Sequence, residues 1–180
     1  MKRVHIVGNG PSWVDFVRTD PEDLVIGCNA TRVPDADLTT LSDLRLVYKI
    51  REKVLSVNCP VLVNQKVYDW LQTDKGRAVG LEVVDIYHRP DHIEPLDLSS
   101  AHYAAMWVLP KHQPKELHIW GCDSLFEDHI LSYTDEVVDH SAKSDPSKML
   151  IVAQRWRKEW TNLENQYTET EFVYHAPLTQ

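Results

Sequence analysis

What this chain lacks narrows its function before any motif is read. Its 180 residues hold three cysteines, Cys28, Cys59 and Cys122, far apart and in no C-x-x-C pair. So odd and scattered a set makes neither a disulfide framework nor a zinc ribbon. Cys28 and Cys122 sit at the ends of apolar runs, where buried free thiols are common, and a reducing cytoplasm is the expected setting. Positive charge is also short. With 19 Lys and Arg against 27 Asp and Glu, the net charge is −8, and the global footprint of a nucleic-acid binder is missing. A local basic patch is expected most notably around Arg155, Arg157 and Lys158. No apolar run approaches the ~20 residues needed to span a bilayer, so no membrane span is expected. Lys2 and Arg3 precede too short an apolar stretch for a signal peptide. Internal repeats, low-complexity tracts and linkers are absent, which leaves residues 1–180 as one domain with a full core.

The most informative stretch that is present runs from Arg3 to Ser12. Val4, Ile6 and Val7 make a short apolar run that breaks into Gly8-Asn9-Gly10-Pro11-Ser12, and Trp13, Phe16 and Val17 follow on one side of an amphipathic segment. The pattern predicts a buried strand, a tight turn and a helix, with Pro11 in the first helical turn and the Ser12 hydroxyl beside its free N–H groups. Two readings fit this turn. It is an ordinary βα connection, or it holds phosphate or nucleotide at a helix N-terminus. It is not the dinucleotide fingerprint, because Trp13 stands where a third glycine belongs, and it is not a P-loop, because no Gly-Lys-Ser/Thr follows.

Further strands are predicted at Leu24–Asn29, Pro60–Asn64, Leu81–Tyr87, Glu116–Trp120 and Thr170–His175. The third strand has two placements. Either it spans Ala36–Asp43, followed by a helix from Leu44 whose face carries Val47, Tyr48, Arg51, Val54 and Leu55, or it spans Leu44–Ile50. The longer helical spacing favours the first. Helices are expected at Lys66–Gln72, at Ala101–Leu109 with Pro110 closing it, and at about Pro146–Asn165 with Met149, Val152, Trp156 and Trp160 as its buried stripe. Residues 124–146 read as a long functional loop. Strands alternating with helices six times predict a Rossmann-like three-layer α/β sandwich with a mostly parallel sheet.

In such a sheet, ligands bind beyond the carboxyl ends of the strands, where the strand order reverses. Those ends carry Gly8, Asn9, Gly10 and Ser12, then Cys28 and Asn29, then Ser42 and Asp43, with Ser99 and Ser100 at a helix start and Gly121 and Asp123 late in the chain. Amides, hydroxyls and carboxylates of this kind suit a ribose, a base edge and a phosphate. No lysine or arginine is among them, so phosphate would rest on backbone N–H groups and hydroxyls. His129 and His140 fall in the polar loop after Asp123, and His140, with Asp139 or Asp145 to orient it, is the candidate general base. The His129, Asp128, His140 and Asp139 grouping matches no metal-ligand spacing and G-x-S-x-G is absent, so neither a resident metal nor a serine hydrolase is expected.

Gly8-Asn9-Gly10-Pro11-Ser12, Cys28-Asn29, Ser99-Ser100-Ala101 and Gly121-Cys122-Asp123, together with His140-Ser141-x-x-x-Asp145, resemble the bacterial family 42 sialyltransferases. Their pattern runs G-N-G-P-S, C-N, S-S/T-G, G-I-D and H-S-x-x-x-D. More broadly the chain is similar to the motility-associated flagellin glycosyltransferases and the archaeal hydroxymethylpterin pyrophosphokinases. The resemblance implies a CMP-sialic-acid-like donor on Asn9, Gly10, Ser12, Asn29, Ser99 and Ser100, with His140 deprotonating an acceptor and no cofactor. The pyrophosphokinase alternative implies Mg²⁺, for which Asp43 and Asp123 are the available carboxylates. Ala101 departs from the family glycine, and Leu125 and Leu131 stand where a tyrosine pair would meet the leaving phosphate. A third reading is a nucleotide- or sugar-binding module without turnover. Pairing with a second copy of the chain stays open.

Overall fold

A computed structural model of the chain describes residues 3–94, 97–139 and 145–178. Seven strands, β1 (Arg3–Val7), β2 (Leu24–Cys28), β3 (Leu38–Leu41), β4 (Val61–Asn64), β5 (Val83–Tyr87), β6 (Glu116–Trp120) and β7 (Glu171–Tyr174), form one sheet in the order β5-β4-β3-β2-β1-β6-β7. Every neighbouring pair is parallel. Parallel neighbours cannot be joined by hairpins, so each connection must cross a face of the sheet. The chain walks outward from β1 to β5 and returns through α4 (Ser100–His112). It then lays β6 on the other side of β1. The strand order reverses at the β1/β6 crevice.

Alternation along the strands builds two cores. Val4, Ile6, Ile26, Cys28 and Leu62 point to one face, where Ala104, Ala105 and Val108 of α4 and Trp160 and Leu163 of α5 (Pro146–Gln166) cover them. The small alanines let α4 lie close to the sheet. Leu41, Val61 and Val63 point the other way, onto Leu46 and Val47 of α1 (Leu44–Arg51) and Val67 of α2 (Gln65–Leu71), and the one-turn α3 (Asp74–Arg77) follows. Burying each Leu, Ile or Val contributes about 1.5–3 kcal/mol. The result is the expected Rossmann-like three-layer sandwich, and its sheet is parallel throughout. Among the described residues, no helix is long and apolar enough to cross a membrane.

Local expectations changed in four places. The helix expected after β1 is only a 3-10 turn, Pro11–Asp15, because Trp13 and Phe16 reach their packing partners Val7, Val25 and Trp120 within that single turn. The first placement of strand three holds, but α1 stops at Arg51, where Lys53 adopts φ 60°, and Val54 is left exposed instead of on the buried face. Pro110 does not close α4. It sits in the last turn, and Gln113 at φ 42° ends the helix by donating its N–H to Leu109. Four of the six connections between successive strands contain α-helices, since the β1–β2 and β2–β3 crossovers have none. Two of the three basic side chains crowded on α5 are paired, Arg155 with Asp97 at 3.1 Å and Arg157 with Asp128 at 3.2 Å.

The face of β1, β6 and β7 opposite α5 carries a row of imidazoles. His5 and His118 are register partners, and His118 Nδ1 lies 2.9 Å from His175 Nε2. His175 stacks on Trp120 with the ring planes 6° apart. Burial and the neighbouring His118 and His5 hold His175 down at about 4, and burial lowers His5 although Asp23 opposes the shift. His102, fully enclosed under α5, is held at about 3 by burial. All three lie below the ordinary histidine value of 6.5, so the unfolded chain binds protons first. Stability is therefore full above that value and falls as pH drops from it toward 4. Urea midpoints measured against pH should be flat above neutrality and decline below 6.5. His175→Phe, which keeps the ring stack, should flatten part of that decline; an unchanged slope would remove His175 from the effect.

Candidate functional site

A cavity of about 660 Å³ opens over the carboxyl ends of β1 to β4 and β6, and α5 supplies one wall. At its β1 end the chain's two glycine turns interlock. The Gly8 N–H donates to the Trp120 carbonyl and the Gly10 N–H to the Gly121 carbonyl, both at 2.8 Å. A Cβ on Gly8 would stand 2.5 Å from the Gly121 oxygen, and one on Gly10 would stand 2.8 Å from the Asp123 carboxylate. The glycines therefore serve the contact between the β1 and β6 turns. Asp123 is buried and accepts the Ser12 N–H at 3.0 Å and the Ser12 hydroxyl as well. In this turn the N–H groups of Gly8, Gly10 and Ser12 are bonded within the protein, and a buried carboxylate stands beside them.

Asn9, between the two glycines, is only 8% exposed. Its backbone carbonyl accepts the Tyr133 N–H at 3.1 Å, which ties the late loop to the β1 turn. Its side-chain amide has no hydrogen-bond partner on either atom among the described residues. Leaving a buried polar group unsatisfied costs about 1–3 kcal/mol, and Asn9 lines the cavity. A ligand would relieve that cost.

The next strand ends are joined by a polar chain. Asn29 adopts φ 54°, a left-handed conformation that asparagine tolerates better than most residues. Its Oδ1 accepts the Ser100 hydroxyl at 3.2 Å, and Ser42 Oγ lies 3.4 Å from Ser100 Oγ. The neighbouring Ser99 donates its N–H to His102 Nδ1 at 3.0 Å, with its hydroxyl 2.8 Å from the same nitrogen. His102 Nε2 lies 3.0 Å from the Trp156 carbonyl. Because burial keeps His102 neutral, Nε2 carries the proton and Nδ1 only accepts. His102 thus locks the α4 N-terminus to α5; so low a basicity does not suit it to activate Ser99.

At the far end, Asp43 caps α1 and grips Arg45 through contacts of 2.6–3.1 Å, which raises the guanidinium's already high pKa. Arg45 also donates to the Asp139 carbonyl at 2.9 Å. Lys66, in the first turn of α2, lines the same end and forms no ion pair among the described residues. Asp43 and Asp123 follow strands three positions apart in the sheet, about 14 Å by strand spacing, so they cannot share one ion. Among the described residues no three His, Cys, Asp or Glu side chains gather as metal ligands, and His129 pairs with Glu127 at 2.8 Å. Burial pushes the Cys28 thiol up to about 12 and Cys122 well above its ordinary range, so neither offers a thiolate.

No family model, curated protein or solved structure matches the chain. What the site can do is set by its own geometry. Gly8, Asn9, Gly10, Asn29, Asp43, Ser99, Ser100 and Asp123 all line one cavity. Ser12 lies behind it, holding Asp123, and His140 falls outside the described residues. Two cations outside the strand-end residues named from the sequence, Arg45 and Lys66, also line the cavity. Lys66 was legible, since Asn64-Gln65-Lys66 ends a strand as plainly as Cys28-Asn29 does. The α5 stripe serves two purposes: Trp160 is buried in the core and also borders the cavity, while Met149, Val152 and Trp156 are half-buried and form an apolar cavity wall. Their helical spacing could not distinguish core from cavity lining.

Proposed function

We propose that this protein is a transferase that binds a nucleotide-activated sugar, of the CMP-sugar kind, across the strand ends, with His140 deprotonating the acceptor. The observation that carries the ligand is the buried, unpartnered Asn9 amide at the switch point of a parallel sheet. Asn29, Ser99 and Ser100 supply further polar atoms to the same cavity, and Met149, Val152 and Trp156 of α5 make one of its walls apolar. Transfer from such a donor needs an oriented, partly dry site and stabilisation of the leaving phosphate. The free thiols support action in a reducing cytoplasm.

The test is a thermal-shift panel of CMP, CDP, UDP, GDP, ADP and ATP, each with and without Mg²⁺, followed by assay of CMP-sugar turnover. A ligand at about ten times its Kd should add roughly 1.4 kcal/mol of stability. Stabilisation by CMP without metal, with turnover of the sugar donor, is the expected result. Stabilisation only by ATP with Mg²⁺ would move the assignment to a pyrophosphokinase. Stabilisation by CMP without turnover would leave a binding module.

A further inference from the structure

The charges around the cavity are divided between its two ends. At the β1/β6 end the one charged side chain among the described residues is Asp123, buried and served only by Ser12. Both of its oxygens retain acceptor capacity. At the β3/β4 end stand Arg45, Asp43 and Lys66; Arg45 pairs with Asp43, and among the described residues no carboxylate forms an ion pair with Lys66. Asp43, Arg45, Lys66 and Asp123 are the only acidic or basic side chains among the described lining residues, so the cavity is negative at one end and positive at the other.

We infer that the ligand lies across the strand ends with its anionic group against Lys66 and Arg45. Its hydrogen-bonding ring, bearing hydroxyl or amino donors, then meets Asn9 and Asp123. This is the reverse of the usual placement, in which phosphate occupies the turn after β1. Two observations force the reversal. The N–H groups of Gly8, Gly10 and Ser12 are already bonded within the protein, and the Asp123 carboxylate would repel a phosphate. The Asn9 amide can both donate and accept, so it complements a ring edge or a pair of hydroxyls. Asn9 follows β1, Arg45 follows β3 and Lys66 follows β4, so the ring and phosphate contacts lie two to three strand spacings apart, about 10–14 Å between strand ends, which sets the length required of the ligand. Lys66 is thus assigned as a phosphate-recognition residue.

The inference rests on the nucleotide reading of this cavity, and the experiment separates the two. Calorimetry compares cytidine, uridine, adenosine and guanosine with their 5′-monophosphates, on wild type and on Lys66→Gln. Lys66 is exposed, so the variant should fold. For the nucleoside that binds, the phosphate should tighten wild-type binding about tenfold, and Lys66→Gln should lose most of that gain while holding the nucleoside as before. A phosphate gain unchanged in Lys66→Gln would overturn the assignment and leave the nucleotide reading standing. Binding by none of the eight compounds would remove the nucleotide reading. Amide shifts induced by inorganic pyrophosphate then decide the polarity alone: perturbation around Arg45 and Lys66 supports it, and perturbation at Gly8–Ser12, or none, overturns it.

Discussion

Gly121→Ala is expected to lower the unfolding free energy by roughly 3 kcal/mol. Two costs combine. Gly121 has φ 60°, and a left-handed conformation costs an ordinary L-residue about 1–2 kcal/mol. Its new Cβ would also stand 2.6 Å from the Gly8 carbonyl oxygen and 3.1 Å from Trp13 Cβ, and overpacking of that kind costs about 1–3 kcal/mol. For a chain of this length the melting temperature should fall by about 6–12 °C. Gly80→Ala is the internal control. Gly80 has φ 74°, but a Cβ there meets nothing within 4 Å, so only the dihedral cost applies. Equal losses for the two variants would show that the contact between the β1 and β6 turns contributes nothing to stability. The contact matters beyond stability because it holds Asp123 beside Ser12 and fixes the floor of the cavity.

Asn9→Leu should separate folding from binding. Leucine is close to asparagine in shape and removes the two buried amide atoms that have no partner among the described residues. The free protein should therefore keep its stability or gain about 1 kcal/mol. Nucleotide binding should weaken on the order of thirtyfold, the equivalent of two ordinary hydrogen bonds. Urea unfolding and calorimetry on the same preparation read both effects. A variant that unfolds more easily yet binds nucleotide as wild type does would make Asn9 a structural residue and remove the main support for the ligand site. Tyr133 offers a check, since its N–H bond goes to the Asn9 backbone carbonyl and should survive the substitution.

Most strands were legible because each is a short run of Val, Ile and Leu bounded by Gly, Pro, Asn or Asp, and a strand covered on both faces needs that composition. Errors arose where a pattern is compatible with two local structures. Trp13, Phe16 and Val17 have helical spacing, yet a single 3-10 turn already packs the half-buried Trp13 and Phe16 into the cluster with Trp120, and Val17 is left exposed. Pro110 usually marks a helix end, but in the final turn of α4 its missing N–H removes one bond and does not stop the chain.

By itself the sequence determined the parallel α/β class and most of the residues at the strand ends, since both follow from local periodicity and turn chemistry. Only the tertiary structure decided what those residues do. The bond from Ser12 to Asp123 joins positions 111 apart, and the interlock of Gly8 and Gly10 with Gly121 depends on β6 lying next to β1. That adjacency turns the Gly8, Gly10 and Ser12 N–H groups to partners within the protein. Among the described residues, Arg45 and Lys66 are the cations that line the cavity. Periodicity reports which face of an element is apolar; it carries no information about which distant turn will meet that element. Strand order supplies that information, and it is fixed only when the whole sheet is assembled.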